Sequence, residues 1–156
     1  MADLVAELLT IARTLDAQRI EFAVCGGLAV AIHGHVRATR DIDLLLLSAS
    51  RAPALEALKS VGFGIPAEPM VFGAGTTGER HVQRVSKATG PELVTVDLIF
   101  VEPAFVEVWA TRQRFAREGT ELTVVSARGL IAMKRLAGRK QDLADIEALE
   151  RGPGDE

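Results

Sequence analysis

The amino-acid sequence predicts an α/β (α+β) protein in which a mixed β-sheet is flanked by helices. Three observations lead to this fold class. Short apolar runs, bounded by glycine or charged residues, alternate with segments whose apolar residues recur at helical spacing. The run over residues 38–47 is continuously apolar after Asp43, as is typical of a strand covered on both faces. The last third of the chain has a helical pattern, which predicts a C-terminal helical segment beside the sheet.

The individual elements follow from local patterns. Leu4, Leu8 and Leu15 recur at helical spacing and predict a helix over residues 3–18. Apolar or alternating runs predict strands over 20–25, 38–47, 81–85, 93–101 and 121–125. Amphipathic patterns predict further helices over 28–33, 50–61, 127–137 and 142–150. The Gly- and Pro-rich segment 62–78 is expected to be a loop or hairpin. The pattern of 105–115 fits either a helix or an extended chain.

Composition limits the class of protein. The chain has 156 residues, so we expect one domain over residues 1–150 and a flexible tail over 151–156. Its net charge of −3 excludes a protein that holds nucleic acid by bulk positive charge. The single cysteine, Cys25, excludes an intramolecular disulfide. The N-terminal segment is amphipathic and interrupted by charges, which indicates neither a signal peptide nor a membrane anchor. We therefore expect a cytoplasmic protein without a membrane partner.

Three aspartates carry the strongest chemical signal. Asp41 and Asp43 flank Ile42 at the start of a predicted strand, so their side chains point to the same face. Asp97 lies within a second apolar strand, where a carboxylate is costly unless it is paired or liganded. Carboxylates held this close are jointly ionised only with a cation between them. The pattern predicts a Mg²⁺ site at Asp41, Asp43 and Asp97, with room for two ions and a substrate triphosphate.

A glycine turn and nearby basic residues supply the complementary groups. Gly26 and Gly27 stand between a predicted strand and a predicted helix, where glycine lets the backbone approach a phosphate closely. Arg40 directly precedes the first aspartate and can balance phosphate charge. Residues 126–141 contain five basic side chains and no acidic one, which is a local positive patch on an acidic protein.

Blander interpretations apply to each motif taken alone. An Asp-x-Asp pair is also typical of a solvated strand end, and a basic helix face is commonly just solvated. The segment 73–78 matches G-x-G-x-x-G, but it does not open a predicted helix and is expected to be a flexible loop. His33 and His35 could contact a metal or a phosphate, although no third zinc ligand is indicated. Only the combined order of the glycine pair and the three aspartates favours catalysis.

With these residues assembled, the sequence resembles the DNA polymerase β-like nucleotidyltransferase superfamily. The superfamily signature is a hydrophobic residue before a glycine pair or Gly-Ser, an Asp-x-Asp pair and a third strand aspartate. The corresponding residues are Cys25-Gly26-Gly27, Asp41-Ile42-Asp43 and Asp97. The segment 130–146 also resembles the C-terminal helix of small bacterial AbiEii/AbiGii-type toxin nucleotidyltransferases. The glycine and Asp-x-Asp stretch is similar, in addition, to antibiotic-modifying nucleotidyltransferases of the lincosamide type.

The resemblance implies a nucleotidyltransferase-type core and an Mg²⁺-dependent transfer of a nucleoside monophosphate from an NTP to an acceptor hydroxyl, with release of pyrophosphate. It implies that Asp97 shares a metal and acts as the base, that Lys134 meets the nucleotide phosphates and that Asp142 assists. An RNA or tRNA end is the favoured acceptor, because the C-terminal resemblance is to the toxin-type members. A small-molecule acceptor is the alternative, and a catalytically idle fold serving as a binding or antitoxin partner is a third. A cognate antitoxin or self-association is a further expected interaction.

Overall fold

The computed structural model describes residues 3–152, and it confirms a mixed sheet flanked by helices. The helices are α1 (Leu4–Ala17), α2 (Gly26–Ile32), α3 (Arg51–Lys59), α4 (Val106–Ala110), α5 (Ala127–Ala137) and α6 (Lys140–Arg151). The strands are β1 (Ala23–Cys25), β2 (Asp41–Leu46), β3 (Ile65–Pro66), β4 (Met70–Phe72), β5 (Arg80–Thr89), β6 (Glu92–Phe100), β7 (Gln113–Arg117) and β8 (Thr120–Val124).

The strands of the described region form one sheet in the order β3-β5-β6-β2-β1-β8-β7, and β4 pairs with β5. β2 is parallel to β6 and antiparallel to β1, while β1 is parallel to β8. β5 and β6 form a long antiparallel hairpin around Gly90 and Pro91. This strand order places β2 in the middle of the sheet. β2 is the strand that begins with two of the three aspartates.

The two faces of the central strands have different roles. Ile42, Leu44 and Leu46 alternate along β2 and are fully buried on one face. This face is covered by α1, which contacts β2 and whose Glu7 pairs with Lys87 of β5, and α3 packs against α1. The opposite face carries the aspartates of β2 and β6. Burying the apolar face fixes the register of β2, because a slip by one residue would turn the aspartates into the core.

The boundaries differ from the sequence predictions in places that have a physical reason. The second helix begins at Gly26 and not at residue 28, so both glycines belong to its first turn. The segment 105–115 contains both structures that its pattern allows, the short helix α4 followed by the edge strand β7. The segment 62–78 includes the short strands β3 and β4, which border the hairpin.

The C-terminal helix is longer than predicted and runs to Arg151, while residues 153–156 of the predicted tail lie outside the described residues. No helix within residues 3–152 is long and apolar enough to cross a membrane.

Candidate active site

Sheet pairing brings the predicted carboxylates together. Asp43 of β2 is the direct register partner of Asp97 on the parallel strand β6. Asp41 is two residues earlier on β2 and therefore lies on the same face. The intervening Ile42 is fully buried on the other side of the sheet. Three carboxylates thus share one face of two adjacent strands, as the sequence pattern predicts.

The glycine pair is required by close packing around this cluster. A Cβ on Gly26 would overlap with the carboxylate of Asp43, and its φ of +65° is a conformation that side-chain-bearing residues rarely adopt. A Cβ on Gly27 would lie 2.7 Å from Oγ1 of Thr39 and 3.0 Å from Nη2 of Arg37. The first turn of α2 therefore sits directly against the Asp43 carboxylate and against the segment that leads into β2.

The electrostatics of the cluster are dominated by its own negative charge. The pKa of Asp43 is raised from its ordinary value of 3.8 to about 7, first by burial and then by the neighbouring Asp97 and Asp41 carboxylates. Burial and the charge of Asp97 also raise the pKa of Asp41. Lys134 and Arg139 act in the opposite direction on Asp43 but do not outweigh these effects. A carboxylate whose ionisation is opposed in this way favours binding of a cation.

Sequence reasoning missed the side chain that faces Asp97 most closely. Arg84 of β5 donates from Nε to Oδ1 of Asp97 at 2.8 Å and from Nη2 to Oδ2 at 3.0 Å. The same Nη2 lies 3.9 Å from Oδ2 of Asp41. A signal for this pair exists in the sequence. The two-residue turn at Gly90 and Pro91 sets Thr89 opposite Glu92, and counting back along the hairpin places Arg84 opposite Asp97.

A second ionic group lies where α5 and α6 meet the segment before β2. Lys134 of α5 is only 5% exposed, and its Nζ lies 2.9 Å from Oδ2 of Asp145 and 3.7 Å from Oδ1 of Asp142. Arg37 donates two hydrogen bonds to the Asp145 carboxylate, at 2.8 and 2.9 Å. Burial would raise the pKa of Asp145, but the hydrogen bonds from Arg37 and Lys134 outweigh it and lower the pKa. This ionic group joins α5, α6 and the segment 37–39 that packs on Gly27.

Asp142 and Arg139 form the outer part of the same ionic group. Arg139 donates to Asp142 from its backbone N–H at 3.1 Å and from Nε at 2.7 Å, so Asp142 caps the start of α6. Burial opposes ionisation of Asp142, but these hydrogen bonds prevail and lower its pKa. Lys134 and Asp142, which the resemblance assigns to the nucleotide, are thus paired with protein side chains in this structure.

The remaining candidates separate clearly. Arg40 is exposed beside Asp41, and its charge offsets only part of the rise in the pKa of that carboxyl. His33 contacts the carbonyl oxygen of Val125 through Nε2 at 2.9 Å, which is a structural contact. Cys25 is buried, and burial together with the nearby Asp43 charge raises the pKa of its thiol well above the ordinary value.

The donor set fits a hard cation. Asp41, Asp43 and Asp97 offer only carboxylate oxygens, the ligands that Mg²⁺ prefers. Within residues 3–152, however, no three His, Cys, Asp or Glu side chains are already arranged as a complete ligand set. Both oxygens of Asp97 are engaged by Arg84. Metal binding at this cluster would therefore require Asp97 to exchange part of its contact with Arg84 for the metal.

A family model decides the identity of the chain. The model described as "Nucleotidyl transferase AbiEii toxin, Type IV TA system" matches residues 8–156. The chain belongs to the AbiEii nucleotidyl transferase toxin family. This confirms the resemblance noted in the sequence, and it makes this AbiEii-family protein a nucleotidyltransferase of the toxin–antitoxin class. Family membership also implies an NTP substrate and an antitoxin partner. No curated protein has significant sequence similarity to the chain.

Solved structures confirm the fold at low sequence identity. A putative nucleotidyltransferase from Thermotoga maritima is 13% identical with a TM-score of 0.62, covering 95% of this chain and 92% of its own. ANT(2″)-Ia in complex with adenylyl-2″-tobramycin is 14% identical with a TM-score of 0.58, covering 94% of this chain and 87% of its own. JHP933 from Helicobacter pylori is 18% identical with a TM-score of 0.57, covering 95% of this chain and 66% of its own.

Proposed function

We propose that this AbiEii-family protein transfers a nucleoside monophosphate from an NTP to an acceptor hydroxyl in an Mg²⁺-dependent reaction that releases pyrophosphate. The observation that carries the proposal is the side-by-side register of Asp43 and Asp97, with Asp41 on the same face of the sheet. The raised pKa of Asp43 supports it, because a group whose ionisation is opposed by its neighbours gains most from a bound cation.

In this proposal Asp41, Asp43 and Asp97 hold the metal ions. Two bound Mg²⁺ ions would increase the acidity of the acceptor hydroxyl and neutralise charge on the triphosphate. Asp97 accepts the hydroxyl proton, the acceptor oxygen forms a bond to the α-phosphorus, and the bond from that phosphorus to the bridging oxygen breaks. The electron pair of the broken bond leaves with pyrophosphate. This chemistry needs positioning and charge compensation more than covalent catalysis.

The nucleotide is proposed to bind over the glycine pair. The backbone of Gly26 lies directly beside the Asp43 carboxylate, so a triphosphate bound at the first turn of α2 would be within reach of the same cations. Arg40 is exposed next to Asp41 and can contact phosphate directly. Lys134 and Asp142 are proposed to act on the nucleotide from the ionic group, where the Lys134 charge already acts on Asp43.

The proposed acceptor is an RNA, with a tRNA end as the favoured case. Support comes from the resemblance of the C-terminal segment to toxin-type nucleotidyltransferases and from exposed basic side chains on α5 and at the start of α6, among them Arg128 and Lys140. Arg112 and Arg114 are further basic residues, but they line a separate cleft of about 340 Å³ together with the acidic Asp16 and Glu21. The α5–α6 surface is therefore the better candidate for RNA contact.

The decisive experiment combines the purified protein, Mg²⁺, each α-labelled NTP in turn and total RNA. Labelled RNA in the presence of Mg²⁺, with none for Asp43→Asn, is the expected result. No transfer to RNA or to any other acceptor, and no metal-dependent nucleotide binding by calorimetry, would favour the catalytically idle alternative. If an aminoglycoside or lincosamide is labelled and RNA is not, the acceptor is a small molecule, and the proposed nucleotidyl transfer still holds.

Salt dependence tests the RNA surface separately. Each phosphate contact should contribute a slope of about 0.7 in a plot of log affinity against log salt for a single strand. Arg128→Gln and Lys140→Gln should each reduce the affinity and the slope. Lys59→Gln is the matched control, because it removes the same charge from an exposed position on α3, across the sheet from the carboxylates. Equal effects of all three variants would exclude the α5–α6 surface.

A further inference from the structure

Arg84 occupies an unusual place for a side chain that the proposed chemistry does not use. Its guanidinium engages both oxygens of Asp97 and lies 3.9 Å from Asp41, so it bridges two of the three carboxylates. The hydrogen bonds to Asp97 raise the pKa of the guanidinium, which keeps it charged. Its side chain is 42% exposed, whereas that of Asp97 is 13% exposed. The arginine thus covers the third carboxylate from the solvent side.

This contact competes with a metal ion for the same oxygens. A carboxylate held in a bidentate contact with arginine has its strongest acceptor directions occupied. A divalent cation at Asp41 and Asp43 would also be repelled by a guanidinium only a few ångströms away.

A triphosphate offers the guanidinium another partner. Arginine binds phosphate oxygens in the same two-pronged geometry that it uses for carboxylates. The side chain of Arg84 is 42% exposed, so a phosphate can approach the guanidinium from the solvent side while Asp97 holds it from the other. Arg84 can therefore exchange Asp97 for a phosphate without any change in the fold.

We propose that Arg84 is a positioning residue that couples metal binding to nucleotide binding. Without a nucleotide it holds Asp97 and neutralises the cluster, and with a nucleotide it transfers to the phosphates and frees Asp97 for the metal. This proposal rests on the proposed function and adds an order of binding to it. Binding of the metal alone is disfavoured, and binding of the metal–triphosphate complex is favoured. By reciprocity, whatever the nucleotide does to metal affinity, the metal does to nucleotide affinity.

The test uses two probes whose affinities should move in opposite directions. Mn²⁺ alone, measured by electron paramagnetic resonance, should bind Arg84→Gln about tenfold more tightly than the wild type, because a competing charge has been removed. Inorganic tripolyphosphate in EDTA, measured by calorimetry, should bind the same variant about tenfold more weakly, because a two-pronged phosphate contact has been lost. Arg84→Lys keeps the charge without the planar geometry and should give intermediate values for both.

Arg114→Gln is the matched control. Arg114 lies on β7 at the other end of the sheet and pairs with Glu121 of β8. Its removal should change neither the Mn²⁺ affinity nor the tripolyphosphate affinity. If Arg84 is merely structural, its variants should bind both Mn²⁺ and tripolyphosphate more weakly. An unchanged Mn²⁺ affinity in Arg84→Gln would overturn the coupling while leaving the metal site intact. Failure of the wild type and of every variant to bind Mn²⁺, both alone and with tripolyphosphate, would overturn the proposed function as well. Circular dichroism confirms that each variant is folded.

Discussion

Replacing Asp43 with asparagine should stabilise the metal-free protein, although the same change should abolish transfer. The carboxylate lies between Asp41 and Asp97 in a partly buried position, and its pKa is raised from 3.8 to about 7 by burial and by those two charges. Asparagine has nearly the same shape and no charge. The substitution therefore removes a repulsion that the folded state must bear when no cation is bound.

The sign and size of the effect follow from proton linkage. Because the folded state holds the Asp43 proton more tightly than the unfolded state does, this group lowers stability as the pH rises from about 4 to about 7. The full shift corresponds to about 4 kcal/mol at about 1.4 kcal/mol per pKa unit. Since the side chain keeps some contact with solvent, we expect about half of this value, roughly 2 kcal/mol at pH 8.

The assay is urea unfolding in EDTA at pH 5 and pH 8. Asp43→Asn should exceed the wild type by roughly 2 kcal/mol at pH 8 and by less than half of that at pH 5, where the wild-type carboxyl is still largely protonated in the folded state. Glu56→Gln makes the same charge change at an exposed site on α3 and should alter neither value. Adding Mg²⁺ should stabilise the wild type and leave Asp43→Asn unchanged.

Two results would refute this reasoning. If Asp43→Asn is less stable than the wild type in EDTA at pH 8, the carboxylate is a structural group whose contacts outweigh the repulsion. If Asp43→Asn exceeds the wild type in free energy of unfolding by the same amount at pH 5 and pH 8, the raised pKa of Asp43 is not the cause of the stabilisation.

Three further predictions follow from the packing around the site. Gly26→Ala should lower the melting temperature and abolish Mn²⁺ binding, because the new Cβ would displace the Asp43 carboxylate. An unchanged Mn²⁺ affinity would contradict this. Asp145→Asn should lower the free energy of unfolding in urea by about 3 kcal/mol, because it leaves Lys134 buried without its main partner. Glu147→Gln, on the exposed side of α6, should lower it little. Equal losses in the two variants would show that the ion pair contributes nothing. The Cys25 thiol should react with a thiol reagent only on unfolding, since burial raises its pKa; fast labelling of the native protein would disprove this.

Local patterns in the sequence predict most of the elements that surround the proposed site. The alternation around Ile42 places Asp41 and Asp43 on one face, because strand geometry has a period of two and one face must be buried. The glycine pair marks the first turn of α2, because a side chain at either position would collide with its neighbours. These features depend only on residues close together in the chain.

Features that depend on distant residues were not predicted. Arg37 and Asp145 are 108 positions apart, and nothing in the periodicity of either segment indicates that they meet. The burial of Lys134 has the same origin, since an amphipathic helix places a lysine equally well in solvent until its partners on α6 are known. Arg84 is the intermediate case, because its pairing with Asp97 follows from the hairpin register once the turn is recognised.

The placement of charge around the proposed site explains why its ligands should arrive together. The three carboxylates are surrounded by cations from separate elements, with Arg84 on β5, Lys134 on α5 and Arg139 at the start of α6. A divalent cation entering alone meets these positive groups, and a triphosphate entering alone meets the carboxylates. A metal–triphosphate complex brings both charges at once, so each can pair with the group of opposite sign. The fold therefore favours the complex over either component, and Arg84, which touches the carboxylates directly, is the residue whose removal should weaken that preference most.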